Sequence, residues 1–89
     1  MKVTDGVRST QNQDGGIVLD IRHGQMFRLN PVGSRILALL EAGNDEPRIV
    51  EEISRDFNIA TEIVKADVRE FVEVLEKHQL LEQRSTGQA

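Results

Sequence analysis

Between Gly16 and Asn30 the chain alternates apolar and polar side chains with a period of two. Apolar residues fall at Ile17, Leu19 and Ile21 and again at Phe27 and Leu29, the spacing of two half-buried strands. The polar interruption around His23-Gly24 predicts a hairpin. A two-residue His23-Gly24 loop sets Leu19 opposite Arg28 and Asp20 opposite Phe27, which scatters the apolar set over both faces. A three-residue loop, Arg22-His23-Gly24, keeps Ile17, Leu19, Ile21, Phe27 and Leu29 on one face and puts Gly24 where a type I turn with a G1 bulge needs a positive φ. A one-residue slip would turn every side chain over, so the second register is the expectation, with Asp20, Met26 and Arg28 on the opposite face. Upstream, Val7 to Asn12 reads either as a first strand turning through Gln13-Asp14-Gly15-Gly16 or as a disordered lead into the domain. In the first case the sheet has three antiparallel strands and the last one keeps a free side.

From Asn30 the apolar period lengthens to that of helices. Asn30 is a favoured N-cap and Pro31 suits the first helical position, where its missing N–H costs nothing. Val32, Ile36, Leu39 and Leu40, with Leu37 alongside, form a stripe that stops at Gly43. A second start lies at Asn44-Asp45-Glu46-Pro47, with Ile49, Val50, Ile53 and Phe57 repeating up to a turn at Asn58-Ile59-Ala60. Thr61 is the expected cap of a third helix over about Glu62 to His78. There Val64, Val68, Phe71 and Leu75 make a buried stripe. Ile63 and Val74 flank it on one side, near Asp67 and Glu70, and Val72 flanks it on the other. That apolar arc is wider than one packing partner needs, and a helix wedged between two helices and a sheet accounts for it equally well. Leu80-Leu81 returns apolar residues to the core. The expected organisation is an N-terminal segment over 1–15, one globular domain over 16–82 and a polar tail over 83–89.

Composition narrows the function. With 89 residues there is room for a single small core, and with no cysteine there is no disulfide, thiolate metal site or cysteine nucleophile. No apolar run reaches membrane-span length and no signal-peptide core is visible, so a cytoplasmic protein is expected. His23 reads as a turn residue and His78 as a complement to a helix C-terminus. Glu51-Glu52 and the Glu73 and Glu76 pair belong to solvated helix faces, and Asp14-Gly15-Gly16 is too short for a phosphate cradle. No nucleophile–base constellation is present, so neither an enzyme nor a cofactor or metal site is expected. The second and third helices have helix-turn-helix proportions, with the hairpin as a wing. From Thr61 to Glu76, however, Lys65 and Arg69 face Glu62, Asp67, Glu70, Glu73 and Glu76, and the whole chain carries a net charge of −4. Phosphates would repel such a recognition helix. A strand edge open to an extended peptide is the remaining option, against an edge merely blunted by Gln25 and Arg28.

The order of residues adds to this. Gly16-Ile17-Val18-Leu19-Asp20, Gly24, Phe27-Arg28-Leu29-Asn30, Gly33, Ile36 and Leu39-Leu40 are followed by Val50-Glu51-Glu52-Ile53, Phe57-Asn58-Ile59, Asp67-Val68, Phe71, Leu75 and Leu80-Leu81. From about Gly15 to Glu82 this series resembles the PqqD-like family. The resemblance implies an α+β, winged helix-turn-helix-like domain with a three-stranded antiparallel sheet followed by three helices. It implies a non-catalytic chaperone that binds the leader of a ribosomally made precursor peptide and delivers it to a modifying enzyme, often a radical S-adenosylmethionine enzyme. The leader would add to the Gln25–Leu29 strand in a groove against the third helix. Carried onto this chain, the site comprises Gln25, Met26, Phe27, Arg28 and Leu29 on the strand and Ile63, Asp67, Glu70 and Val74 on the helix, with Phe27 and Leu29 serving as core or contact residues. The Leu-Asn pattern is shared with lasso-peptide and other recognition proteins, so the resemblance implies peptide recognition generally before PQQ synthesis in particular. The N-terminal segment shows no obvious apolar first strand of the family's kind, and Pro31 is not a hallmark. Alternatives on the same elements are a DNA-binding winged helix and a protein-interaction module that uses the same groove.

Overall fold

The computed structural model describes residues 2–82, and the polar tail expected over 83–89 lies outside the described residues. The elements run β1 (Lys2–Val3), β2 (Val7–Asn12), β3 (Gly15–Asp20), β4 (Gln25–Leu29), α1 (Pro31–Glu41), α2 (Glu46–Phe57), α3 (Thr61–Lys77) and β5 (Leu81–Glu82). β2, β3 and β4 form an antiparallel sheet in that order, so the polar Val7–Asn12 segment is a strand and β4 stands at an edge. A two-residue pairing of β1 with β5, which no periodicity could announce, ties the two ends of the domain together.

The helices begin as their capping residues dictate. The Asn30 side chain accepts from the Gly33 N–H at 2.7 Å, and Asp45 accepts from the Arg48 N–H at 3.1 Å. Asn58 closes α2 in the left-handed region, at φ 56°. The expected cap at Thr61 is displaced by one residue. Ala60 occupies that position with no side-chain hydrogen bond, and its carbonyl accepts from the Ile63 and Val64 N–H groups at 3.1 Å.

The core joins Val18 of β3 to Ile36, Leu37, Leu39 and Leu40 of α1, Ile49 and Ile53 of α2, Val64, Val68, Val72 and Leu75 of α3, and Leu80-Leu81. α1 packs across β2 and β3, while α2 bridges α1 and α3. Among the described residues no helix is long and apolar enough to cross a membrane.

The hairpin register differs from the expected one. Val18 pairs with Phe27, Leu19 with Met26 and Asp20 with Gln25, which leaves a four-residue connection over 21–24. The slip turns β3 over relative to β4: Val18 is buried and Ile17, Leu19 and Ile21 stand exposed, while Phe27 and Leu29 stay half-buried against the core and Met26 stays on the outer side, as expected. The cause is Asp20, which is only 1% exposed rather than on the solvent face. Its carboxylate accepts from the Arg22 backbone N–H at 3.1 Å and from the Arg22 guanidinium at 2.9 and 3.0 Å, and lies 2.8 Å from His23 Nδ1. The connection thus supplies the guanidinium that makes a buried carboxylate favourable. Arg22 also donates to the Gln79 carbonyl at 3.0 Å, anchoring the turn to the end of α3. Gly24 does take a positive φ, 65°.

Candidate functional site

The register decides which backbone groups of β4 are free. Ile21 donates its N–H to the Gly6 carbonyl at 3.0 Å, so residues 17, 19 and 21 of this stretch bond toward β2. By the alternation of antiparallel ladders, Gly16, Val18 and Asp20 bond toward β4, through Leu29, Phe27 and Gln25. The N–H and C=O groups of Met26 and Arg28 therefore point away from the sheet, along its open edge.

Beyond that edge lies a groove of about 530 Å³ between β4 and α3. α3 runs antiparallel to β4 across it. Phe27 meets His78 at the far end of the helix, with ring centroids 5.0 Å apart. At the Asn30 end, Gly33 of α1 approaches Phe71 so closely that an added Cβ would lie 3.1 Å from its ring. Glycine at this first turn of α1 is what lets the Phe71 ring settle into the floor. Val32, Ile36 and Leu80 complete an apolar base, and Asp67, Glu70 and Val74 form the helix wall. Val74 is 47% exposed, a large apolar surface left open on the groove side of the helix.

Six of the nine expected site residues line this groove: Phe27, Arg28, Leu29, Asp67, Glu70 and Val74. Gln25, Met26 and Ile63 are not part of its lining. Gln25 ends the hairpin, and Met26 projects from the outer face of the sheet, 60% exposed. Ile63 extends the helix wall by one turn, 56% exposed. Sequence reasoning passed over Val32, Gly33, Phe71, His78 and Leu80 as groove residues. The signal was present for part of this set, because Asp67, Glu70, Phe71, Val74 and His78 recur at spacings of three and four and so share a face. His78 was expected only to complement the end of a helix; it does stand at the C-terminal end of α3, and its ring also packs on Phe27.

The chemistry available here is main-chain hydrogen bonding along β4, apolar burial on the floor and negative charge on the helix wall. Among the described residues, no group of three or more His, Cys, Asp or Glu is placed to hold a metal ion. α2 and α3 keep helix-turn-helix proportions, but the exposed side of α3 carries the carboxylates of Glu62, Asp67, Glu70 and Glu73, the wrong sign for a phosphate backbone.

Comparisons with known proteins agree with this architecture. The family model of coenzyme PQQ synthesis protein D (PqqD) matches residues 15–81. The solved structure of TbiB1 in complex with the TbiA(beta) leader peptide is 35% identical, with a TM-score of 0.85 over 97% of this chain and 100% of that one. Lasso peptide synthetase B1, complexed with the leader peptide, is 18% identical with a TM-score of 0.78 over 86% of this chain and 91% of that one, a likeness of fold. A search of curated proteins found no match. The matched span runs from the start of β3 to β5 and takes in both walls of the groove, and on that ground the chain belongs to the PqqD family.

Proposed function

We propose that this protein is a peptide-binding recognition element: it captures the leader of a ribosomally made precursor peptide as an added strand on β4 and presents it to a modifying enzyme. The observation that carries this is the free edge of Met26 and Arg28 opening directly onto an apolar groove against α3. Strand addition draws affinity from main-chain hydrogen bonds and specificity from alternate side chains entering a groove, and both parts are present here. Membership of the PqqD family and likeness to TbiB1, whose structure holds a leader peptide, support the same role.

The contribution is binding rather than bond-making. Holding the leader beside the enzyme raises the local concentration of the substrate's reacting segment without any catalytic group on this chain. A radical S-adenosylmethionine enzyme, in PQQ synthesis or a related peptide pathway, is the partner of this kind the family suggests. The protein's own residues for the task are Phe27, Leu29 and Val74 as apolar contacts and the Met26 and Arg28 backbone as the pairing edge, with Gln25 and Ile63 extending the two walls.

Proline at position 26 or 28 tests this directly, because it removes an edge N–H that no strand of the sheet uses. Met26→Pro and Arg28→Pro should each abolish binding of a cognate leader peptide in calorimetry, while far-UV circular dichroism shows the helices intact. Full affinity in both variants would rule out strand addition.

A further inference from the structure

The helix wall of the groove is negatively charged, and its charge is unanswered. Asp67 and Glu70 line the groove, and among the described residues neither is in an ion pair or accepts a side-chain hydrogen bond. On the neighbouring helix Glu46, Glu51, Glu52 and Asp56 all have arginine partners. Arg28, the cation on the strand wall, alternates with Phe27 and Leu29, so its side chain belongs to the outer face of the sheet while its backbone edges the groove. The two carboxylates are also placed asymmetrically. Because α3 runs antiparallel to β4, the His78 end of the groove, over Phe27, is apolar and aromatic, and Asp67 and Glu70 lie toward the Asn30 end.

We infer that the segment bound in this groove carries a lysine or arginine, positioned over Asp67 and Glu70, beside an apolar residue positioned over Phe27 and Val74. The inference rests on the strand-addition reading and adds to it a charge requirement and a direction. An added strand sends every second side chain toward the helix. One such side chain meets apolar surface near Phe27. The next, toward Asn30, meets two carboxylates that have no ion-pair partner among the described residues. A cation there gains attraction in a partly enclosed setting, whereas an acidic side chain at the same position meets repulsion.

Selection of short random-sequence peptides displayed on phage against the full chain tests the claim. The expected consensus has an apolar residue and, two positions along, a lysine or arginine. Replacing that basic residue by glutamine in a selected peptide should weaken binding about two- to five-fold, the range of a part-exposed ion pair, and the loss should shrink at high salt. Asp67→Asn with Glu70→Gln should bind the basic and glutamine peptides alike, and Asp67→Lys with Glu70→Lys should prefer the glutamate analogue. Apolar alternation without a basic preference would overturn this inference and leave strand addition standing. Failure to enrich peptides beyond those retained by the Met26→Pro variant would overturn both.

Discussion

Val18 and Leu19 are adjacent on β3, and the hairpin register assigns them opposite fates. Val18 is 1% exposed and Leu19 is 42% exposed. Val18→Ala removes two methyl groups from the centre of the core. At about 0.8 kcal/mol per buried carbon the transfer loss is about 1.6 kcal/mol, and incomplete collapse around the site brings the total to about 2–3 kcal/mol. Leu19→Ala removes three carbons, but from a face open to water, where nothing collapses and no cavity forms. With about half of that area already wet, the cost is about 1 kcal/mol. The larger truncation should therefore be the milder one. For a domain of this size the difference corresponds to about 4–16 °C in Tm. The chain has no Trp or Tyr, so unfolding in urea or on heating is followed by far-UV circular dichroism. A Leu19→Ala variant less stable than Val18→Ala would refute the register.

Two further perturbations follow. Gly33→Ala sets a Cβ 3.1 Å from the Phe71 ring and should displace that ring toward the groove. The gain in helix propensity, about 1 kcal/mol, offsets the crowding, so titrations should show weaker peptide binding with little change in urea midpoint, and unaltered affinity would show that Phe71 is not part of the floor. Asp20 is held below its ordinary value of 3.8 first by the hydrogen bonds from Arg22 and then by that from His23. A depressed folded value contributes stability that is complete above the unfolded pKa and is lost as the pH falls through the folded one. Asp20→Asn should therefore be less stable than the parent at pH 7, and its stability should fall less steeply below pH 4; equal slopes in the two proteins would show the clasp to be energetically silent.

The helices were legible in the sequence because their signals are local. Asn30-Pro31 and Asp45 with Pro47 each announce a start within a few residues, and the apolar stripes of α1, α2 and α3 repeat often enough to fix their buried sides. The hairpin register was not legible, because its determinant is a buried charge. Counting apolar residues assigns Asp20 to solvent and Ile21 to the core, and both assignments are reversed. The partners of Asp20 are its near neighbours Arg22 and His23, so the clue was in the chain, but it takes three-dimensional closure onto Gln79 to show that the carboxylate turns inward. The groove was half legible for the same reason. Its strand wall and acidic helix wall follow from the family pattern, whereas its floor draws on Val32 and Gly33 from α1 and Leu80 after α3, which meet only in the folded chain.

These observations connect a salt bridge at one end of the hairpin to binding at the other side of β4. The Asp20 clasp holds the connection at four residues and thereby sets Val18 opposite Phe27. That pairing points Phe27 and Leu29 toward α3, leaves Met26 and Arg28 with outward N–H and C=O groups, and exposes Ile17, Leu19 and Met26 on the outer face. A shorter connection would place Met26 and Arg28 over the helices instead. Their longer, polar or flexible side chains would then fill the groove beside β4, and the edge would bond through Phe27. A buried carboxylate with no contact to the groove thus governs both the shape of the groove and the identity of its hydrogen-bonding edge. Loss of the clasp should accordingly reduce peptide affinity as well as stability, even where the protein remains fully folded at the temperature of the assay.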